Sequence, residues 1–229
     1  MAKKLVIIAI VLLVLVGCGL WSPWQQWNIS LGSVFGVDKP KDFARLQVSA
    51  LEGEIKILVD GEEKGKVGPD GSPFVIEDIE PGKRTVRLER QADSPAEYLV
   101  FERVLDFSTE VDTVVAYELG PNSYFSAGHI ITATKNYISA STKLNLVSVP
   151  IGAEVSLNGL NLGLTPLSNL ELDISEVSKL SLRKAGYEDM EVSLLPENAE
   201  DRKQLKGYDI NVEADLFLLP ITLETITKP

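Results

Sequence analysis

The chain has a single cysteine, Cys18, a single histidine, His129, and three tryptophans, Trp21, Trp24 and Trp27, all close to its start. One cysteine forbids an internal disulfide, so core packing must hold the fold whatever the redox compartment. With one histidine and one cysteine there are too few ligands for a zinc or transition-metal centre, and neither a metal nor a cofactor is expected. No G-x-S-x-G elbow is present, Gly128-His129-Ile130-Ile131 reads as the start of a strand, and no glycine-rich phosphate cradle opens a helix. Positive charge is short as well: 22 Lys plus Arg stand against 33 Asp plus Glu, a net charge of -11. Such a body repels polyanions, so nucleic acid is not an expected partner. No catalytic residue is assigned. Glu62 with Glu63 and Glu188 with Asp189 read as solvated carboxylates on turns, and the loop 68–73 lacks the acid spacing of a calcium site.

Long apolar runs are missing everywhere except at the start. Met1-Ala2-Lys3-Lys4 precedes twelve uninterrupted apolar residues, Leu5 to Val16, and Gly17 sets a small residue before Cys18. This is the layout of a secretory leader. Leu15-Val16-Gly17-Cys18 also resembles the lipobox of bacterial lipoproteins, which implies a diacylglycerol on the Cys18 thiol and cleavage just before it. The alternative is an uncleaved single helix, because residues 5–21 carry no charge. Twelve strongly apolar residues fall short of the ~20 that span a bilayer, and Gly17 and Gly19 weaken a helix there. Both alternatives place Lys3 and Lys4 in the cytoplasm and the rest of the chain outside, with the membrane as a partner through a lipid or a helix. Trp21, Trp24 and Trp27 then lie near headgroups or against the first domain, or else form a sugar-stacking platform, for which Tyr124 and Phe125 are further candidates.

From Leu46 onward the pattern is mainly β. Ile55, Ile57 and Val59 alternate with polar positions, Asp60-Gly61 is a two-residue hairpin signal, and Val86 and Leu88 alternate after Pro81-Gly82. Strands are expected at 98–105 and 113–119. Sliding the chain by 98 positions lays Asp60-Gly61 on Asn158-Gly159, Gly65 on Gly163, and Ile55, Ile57, Val59 on Ala153, Val155, Leu157. Leu180 and Leu182 answer to Val86 and Leu88 at a shift of 94. Self-similarity of this kind predicts two copies of one unit.

The second copy reads Ser148-Val149-Pro150-Ile151-Gly152-Ala153, then a strand to Asn158-Gly159, then Gly163-Leu164-Thr165-Pro166-Leu167, then Lys184-Ala185-Gly186-Tyr187. It resembles the PEGA domain family, with Ile151 in place of the glutamate. The first copy shares Pro81-Gly82 but has Gly65-Lys66-Val67-Gly68-Pro69 without the Thr-Pro, a looser match. The resemblance implies two tandem small antiparallel β-sandwich domains, Ig-like in build, usually non-catalytic and found in envelope proteins. The expected organisation is a signal peptide at 1–17, anchor and linker at 18–43, a first domain at 44–120, a connector at 121–142, a second domain at 143–220 closed by a strand with Tyr208, Ile210 and Val212, and a tail at 221–229. The expected role is structural or adhesive, toward an unidentified envelope protein or polysaccharide. A cell-wall carbohydrate-binding module is the alternative.

Overall fold

A computed structural model describes residues 43–219, apart from 51, 70–71, 93–96 and 110. The leader, Leu15, Val16, Gly17, Cys18, the three tryptophans and the tail from 220 lie outside the described residues.

The hairpin turns set the frame. Asp60 and Gly61 take φ 51° and 83°, and Asn158 and Gly159 take 48° and 82°. Two successive left-handed residues give a turn whose twist matches that of the flanking strands. In each case the first side chain also folds back: Asp60 Oδ1 accepts the Thr85 N–H and Asn158 Oδ1 accepts the Lys179 N–H, both at 2.8 Å. Asp and Asn suit the position because they tolerate this φ and bring their own acceptor.

Among the described residues fifteen strands follow in chain order: β1 (Ala44–Ser49), β2 (Glu54–Val59), β3 (Glu62–Val67), β4 (Phe74–Ile79), β5 (Gly82–Gln91), β6 (Phe101–Phe107), β7 (Thr113–Glu118), β8 (Ala127–Lys135), β9 (Lys143–Val149), β10 (Glu154–Leu157), β11 (Leu160–Leu164), β12 (Leu167–Glu171), β13 (Lys179–Arg183), β14 (Met190–Ser193) and β15 (Tyr208–Asp215). They form three sheets, ordered β3-β2-β5-β6, β11-β10-β13-β14, and β12-β9-β15-β8-β7-β1-β4. The second order is the first with every label raised by eight, and the same offset turns β4-β1-β7 into β12-β9-β15. Even the bulges coincide, between Ile57 and Leu58 in β2 and between Val155 and Ser156 in β10. Two pairings correct the expectation of antiparallel sheets: β1 runs parallel to β7, and β9 parallel to β15. Parallel neighbours cannot be joined by a hairpin, so the chain builds the intervening four-stranded sheet before it returns.

The stretch 121–142, read from sequence as a connector, contains β8, which pairs antiparallel with β7 on one edge and with β15 on the other. Its side chains alternate between two cores. Ile130 belongs to a cluster with Leu46, Val48, Ile57, Leu88 and Val115, while Ile131 and Ala133 belong to one with Leu144, Leu146, Leu180, Leu182 and Val212. Successive residues of a strand point to opposite faces, so the two cores lie on opposite faces of one continuous sheet. Each fully buried aliphatic side chain contributes about 1.5–3 kcal/mol, and β8 therefore adds to both cores.

Among the described residues one short α-helix, α1 (Ala199–Gln204), precedes β15; Asn198 caps it by accepting the Glu200 N–H at 2.9 Å. Six residues do not hold a helix alone. Arg202 ties it down, its buried guanidinium donating to the carbonyls of Ile174, Ser175, Pro196 and Glu197 at 2.6–3.2 Å. Among the described residues no helix is long and apolar enough to cross a membrane.

Candidate functional site

The residues that carry the sequence motif of the second half converge on a buried hydrogen-bond chain. The Ala153 N–H donates to Thr165 Oγ1 at 3.0 Å, the Thr165 and Ser148 hydroxyls meet at 2.6 Å, and Ser148 donates to the Pro150 carbonyl at 2.7 Å. Ser148 and Thr165 are 3% and 4% exposed, so both hydroxyls must find their partners within this chain of bonds. Lys184 adds a bond to the Gly152 carbonyl at 2.9 Å. In the first half, at the same 98-residue offset, the pair becomes Ala50 and Val67, both buried. The motif is thus a clamp between β9 and the β11–β12 connection, and Ile151, 73% exposed, stands outside it.

Open space occurs elsewhere, where the two halves meet at β8. Gly128 pairs with Tyr117 on one side and Asp215 on the other, and the Tyr117 ring reaches across it to donate to Asp215 Oδ2 at 2.5 Å. A Cβ on Gly128 would sit 2.2 Å from the Ala116 carbonyl oxygen and 2.6 Å from Tyr117 Cα, so only glycine fits. Burial, and then the bond to Asp215, push the Tyr117 hydroxyl's pKa well above its usual value, and it stays a donor. One residue on, and facing the opposite way, His129 pairs with Ala116 and Ala214. Leu46 pairs with Thr113 and its counterpart Leu144 pairs with Ile210, so Ala214 stands in β15 where Tyr117 stands in β7. A large ring stands at one of these positions and a methyl group at the other. Consistently, β6 packs on β8 whereas its counterpart β14 makes no comparable contact there.

Beside Tyr117 and Gly128 opens a cleft of about 810 Å³. Its floor includes Ala116, Gly128 and His129, Met190 and Phe217 line it from the second half, and Phe125, 49% exposed, lines it from the turn before β8. Arg90 on the opposite wall is already committed. It donates to Glu118 Oε1 and to the Leu119 carbonyl, both at 2.9 Å, and lies over the Tyr98 ring at 4.7 Å. Gly53 permits this, since a Cβ there would come within 2.7 Å of Arg90 Nε.

Charge in the cleft is one-sided. Glu52, Glu118, Glu188, Asp189 and Glu191 line it, against Arg90 as the only lysine or arginine. Glu118 is paired with Arg90, Asp189 with Arg183 at 2.8 Å and Glu191 with Lys179 at 2.5 Å. Glu52 and Glu188 have no cationic partner among the described residues. Burial lowers the His129 pKa to about 4, so the imidazole is neutral at physiological pH. Ser49 lies two strands away in register, about 10 Å across the sheet, too far for a base to reach its hydroxyl. The geometry supplies surface and charge and does not set His129 on a nucleophile.

Of the residues singled out from sequence, Asp60, Gly61, Asn158 and Gly159 sit in turns remote from this cleft. Glu62 and Glu63 open β3, Tyr124 is exposed beside Phe125 in a 3-10 turn (Ser123–Phe125), and Trp21, Trp24 and Trp27 lie outside the described residues. Sequence reading missed the joining of His129, Phe125 and Glu188, and no local pattern marks it, because Ala116 meets His129 only through the sheet register. Among the described residues no group of His, Cys, Asp and Glu gathers as a metal site. Residues 141–203 match the PEGA domain, a span from β9 through β14 and most of α1. No curated protein and no solved structure matches the chain.

Proposed function

We propose that the chain is a membrane-anchored extracytoplasmic protein, lipidated at Cys18, whose body is two tandem PEGA-like β-sandwich units fused through β8. Its modules are non-catalytic and serve structural or interaction roles in the cell envelope. The observation that carries this is the recurrence of one strand order in both halves, with the PEGA match on the second. The location draws on the leader pattern of residues 1–18. An uncleaved helix over residues 5–21 would hold the same body on the same side.

The test is the intact mass of the mature protein from membranes. A chain beginning at Cys18 and carrying acyl mass supports lipidation, and Cys18→Ala abolishes it while leaving the melting temperature unchanged. An intact Met1 or Ala2 with unmodified Cys18 replaces the lipid with the helix. Protection of the body from added protease in intact spheroplasts, with cleavage after lysis, overturns the extracytoplasmic placement. A cell-wall carbohydrate-binding role is a second reading, favoured by Tyr124 and Phe125, 67% and 49% exposed; retention on a polysaccharide column that Phe125→Ala reduces would support it.

A further inference from the structure

We propose that the cleft over His129 docks a basic segment of a partner polypeptide, lysine or arginine heads meeting Glu52 and Glu188 and their aliphatic stems lying on the apolar floor. The inference rests on the reading of the body as an interaction module, not on how the chain is anchored.

Three observations lead there. Small residues, Ala116 and Gly128, line the cleft beside the Tyr117 ring. Its apolar lining, Met190, Phe125 and Phe217, offers the surface that the methylene stem of a long cationic side chain covers while its head stays near water. Its charge selects the sign of the guest. Arg90 is neutralised by Glu118 and the Leu119 carbonyl, whereas the Glu52 and Glu188 carboxylates have no cation opposite them among the described residues. An anionic guest would meet these carboxylates with no free cation to receive it; a cationic guest finds complementary charge. The net charge of -11 adds long-range attraction of the same sign, which speeds encounter without locating it.

His129, the one histidine of the chain, lines this cleft and reports on it directly. The experiment titrates the full-length chain in neutral detergent with a capped Lys-Leu-Lys-Leu-Lys peptide and follows the His129 imidazole proton signals. A Glu-Leu-Glu-Leu-Glu peptide and an N-acetylglucosamine tetramer are run in parallel. The lysine peptide should shift the His129 signals saturably, and Glu52→Gln with Glu188→Gln should weaken its Kd about tenfold, the size expected for two charge-assisted contacts. Glu63→Gln with Glu77→Gln removes the same charge from exposed positions on β3 and β4 and should change Kd less than about twofold. Equal weakening by both pairs, binding that leaves His129 unmoved, or a His129 shift from the tetramer or the acidic peptide alone would overturn the proposal. All four carboxylates are exposed, so the variants fold, and unchanged melting checks that. An altered mature N-terminus would overturn the lipid anchor and leave this titration as it is.

Discussion

The two halves share a strand order and even a bulge position, yet they hold the same junction by different means. The second closes it with a chain of buried hydroxyls, Thr165 to Ser148 to the Pro150 carbonyl, and the first places Ala50 and Val67 there. A buried hydrogen-bonded pair and an apolar pair of similar size are close in stability once each is complete, and the cost appears only when one partner is removed. The comparison shows that the topology is set by the hairpin turns and the alternating apolar faces, which both halves keep. The polar clamp is one solution laid over that frame. The PEGA match, 141–203, contains the whole clamp, and the corresponding positions of the first half are Ala50 and Val67.

The sharpest way to break the comparison is at the strand both halves use. Gly128→Val forces a Cβ to 2.2 Å from the Ala116 carbonyl oxygen at φ +156°, and should destabilise the body by on the order of 4 kcal/mol. Hydrogen exchange should show protection falling in β1 and β9 alike; loss confined to β1 would mean that the halves unfold separately. Next in size is acid. The folded His129 has its pKa lowered from 6.5 to about 4, so the unfolded chain binds the proton more readily, and stability falls as pH drops from 6.5 toward 4. At 1.36 kcal/mol per unit the loss is about 3 kcal/mol. His129→Asn should flatten that part of the pH–stability curve obtained by urea unfolding, and an unchanged slope would assign the acid sensitivity to other groups. The smallest effect sharpens the contrast between the junctions. Thr165→Val alone should cost about 2 kcal/mol by leaving Ser148 and the Ala153 N–H short of a partner. Adding Ser148→Ala, which copies the first half, should cost less than the sum of the single changes by about 1 kcal/mol in thermal unfolding. Strict additivity would show that the two hydroxyls do not act as a unit.

Much of this frame is legible in the residues themselves. Asp60-Gly61 and Asn158-Gly159 announce two hairpins because positive φ is costly for most other residues. The alternation of Ile55, Ile57 and Val59, or of Tyr208, Ile210 and Val212, marks one buried face per strand. What alternation does not reveal is which strands become neighbours across long separations, so the parallel pairings of β1 with β7 and β9 with β15 went unread. The start of β8 was legible at Gly128-His129-Ile130-Ile131, but its place between the two halves was not, and the stretch reads as a connector. Gly128-His129-Ile130-Ile131 presents apolar residues to both faces, a pattern that belongs to a strand buried between two cores and lacks the alternation sought in a half-exposed one. The cleft was less legible still. Ala116, His129, Glu188 and Phe217 are far apart in the sequence, and only the sheet register and the loops bring them to one cleft.

Because β1 and β7 run parallel, and β15 and β7 are each antiparallel to β8, β1 and β15 point the same way. The chain therefore enters this sheet at one end, at Ala44, and leaves it at the other, at Asp215. A pull between those points acts along the strands, while the hydrogen bonds joining β1 to β7, β7 to β8 and β8 to β15 lie across it. Those ladders are strained together in shear, not opened one rung at a time. A load applied between Ala44 and Asp215 thus meets all three ladders at once, and this sheet resists it as a unit.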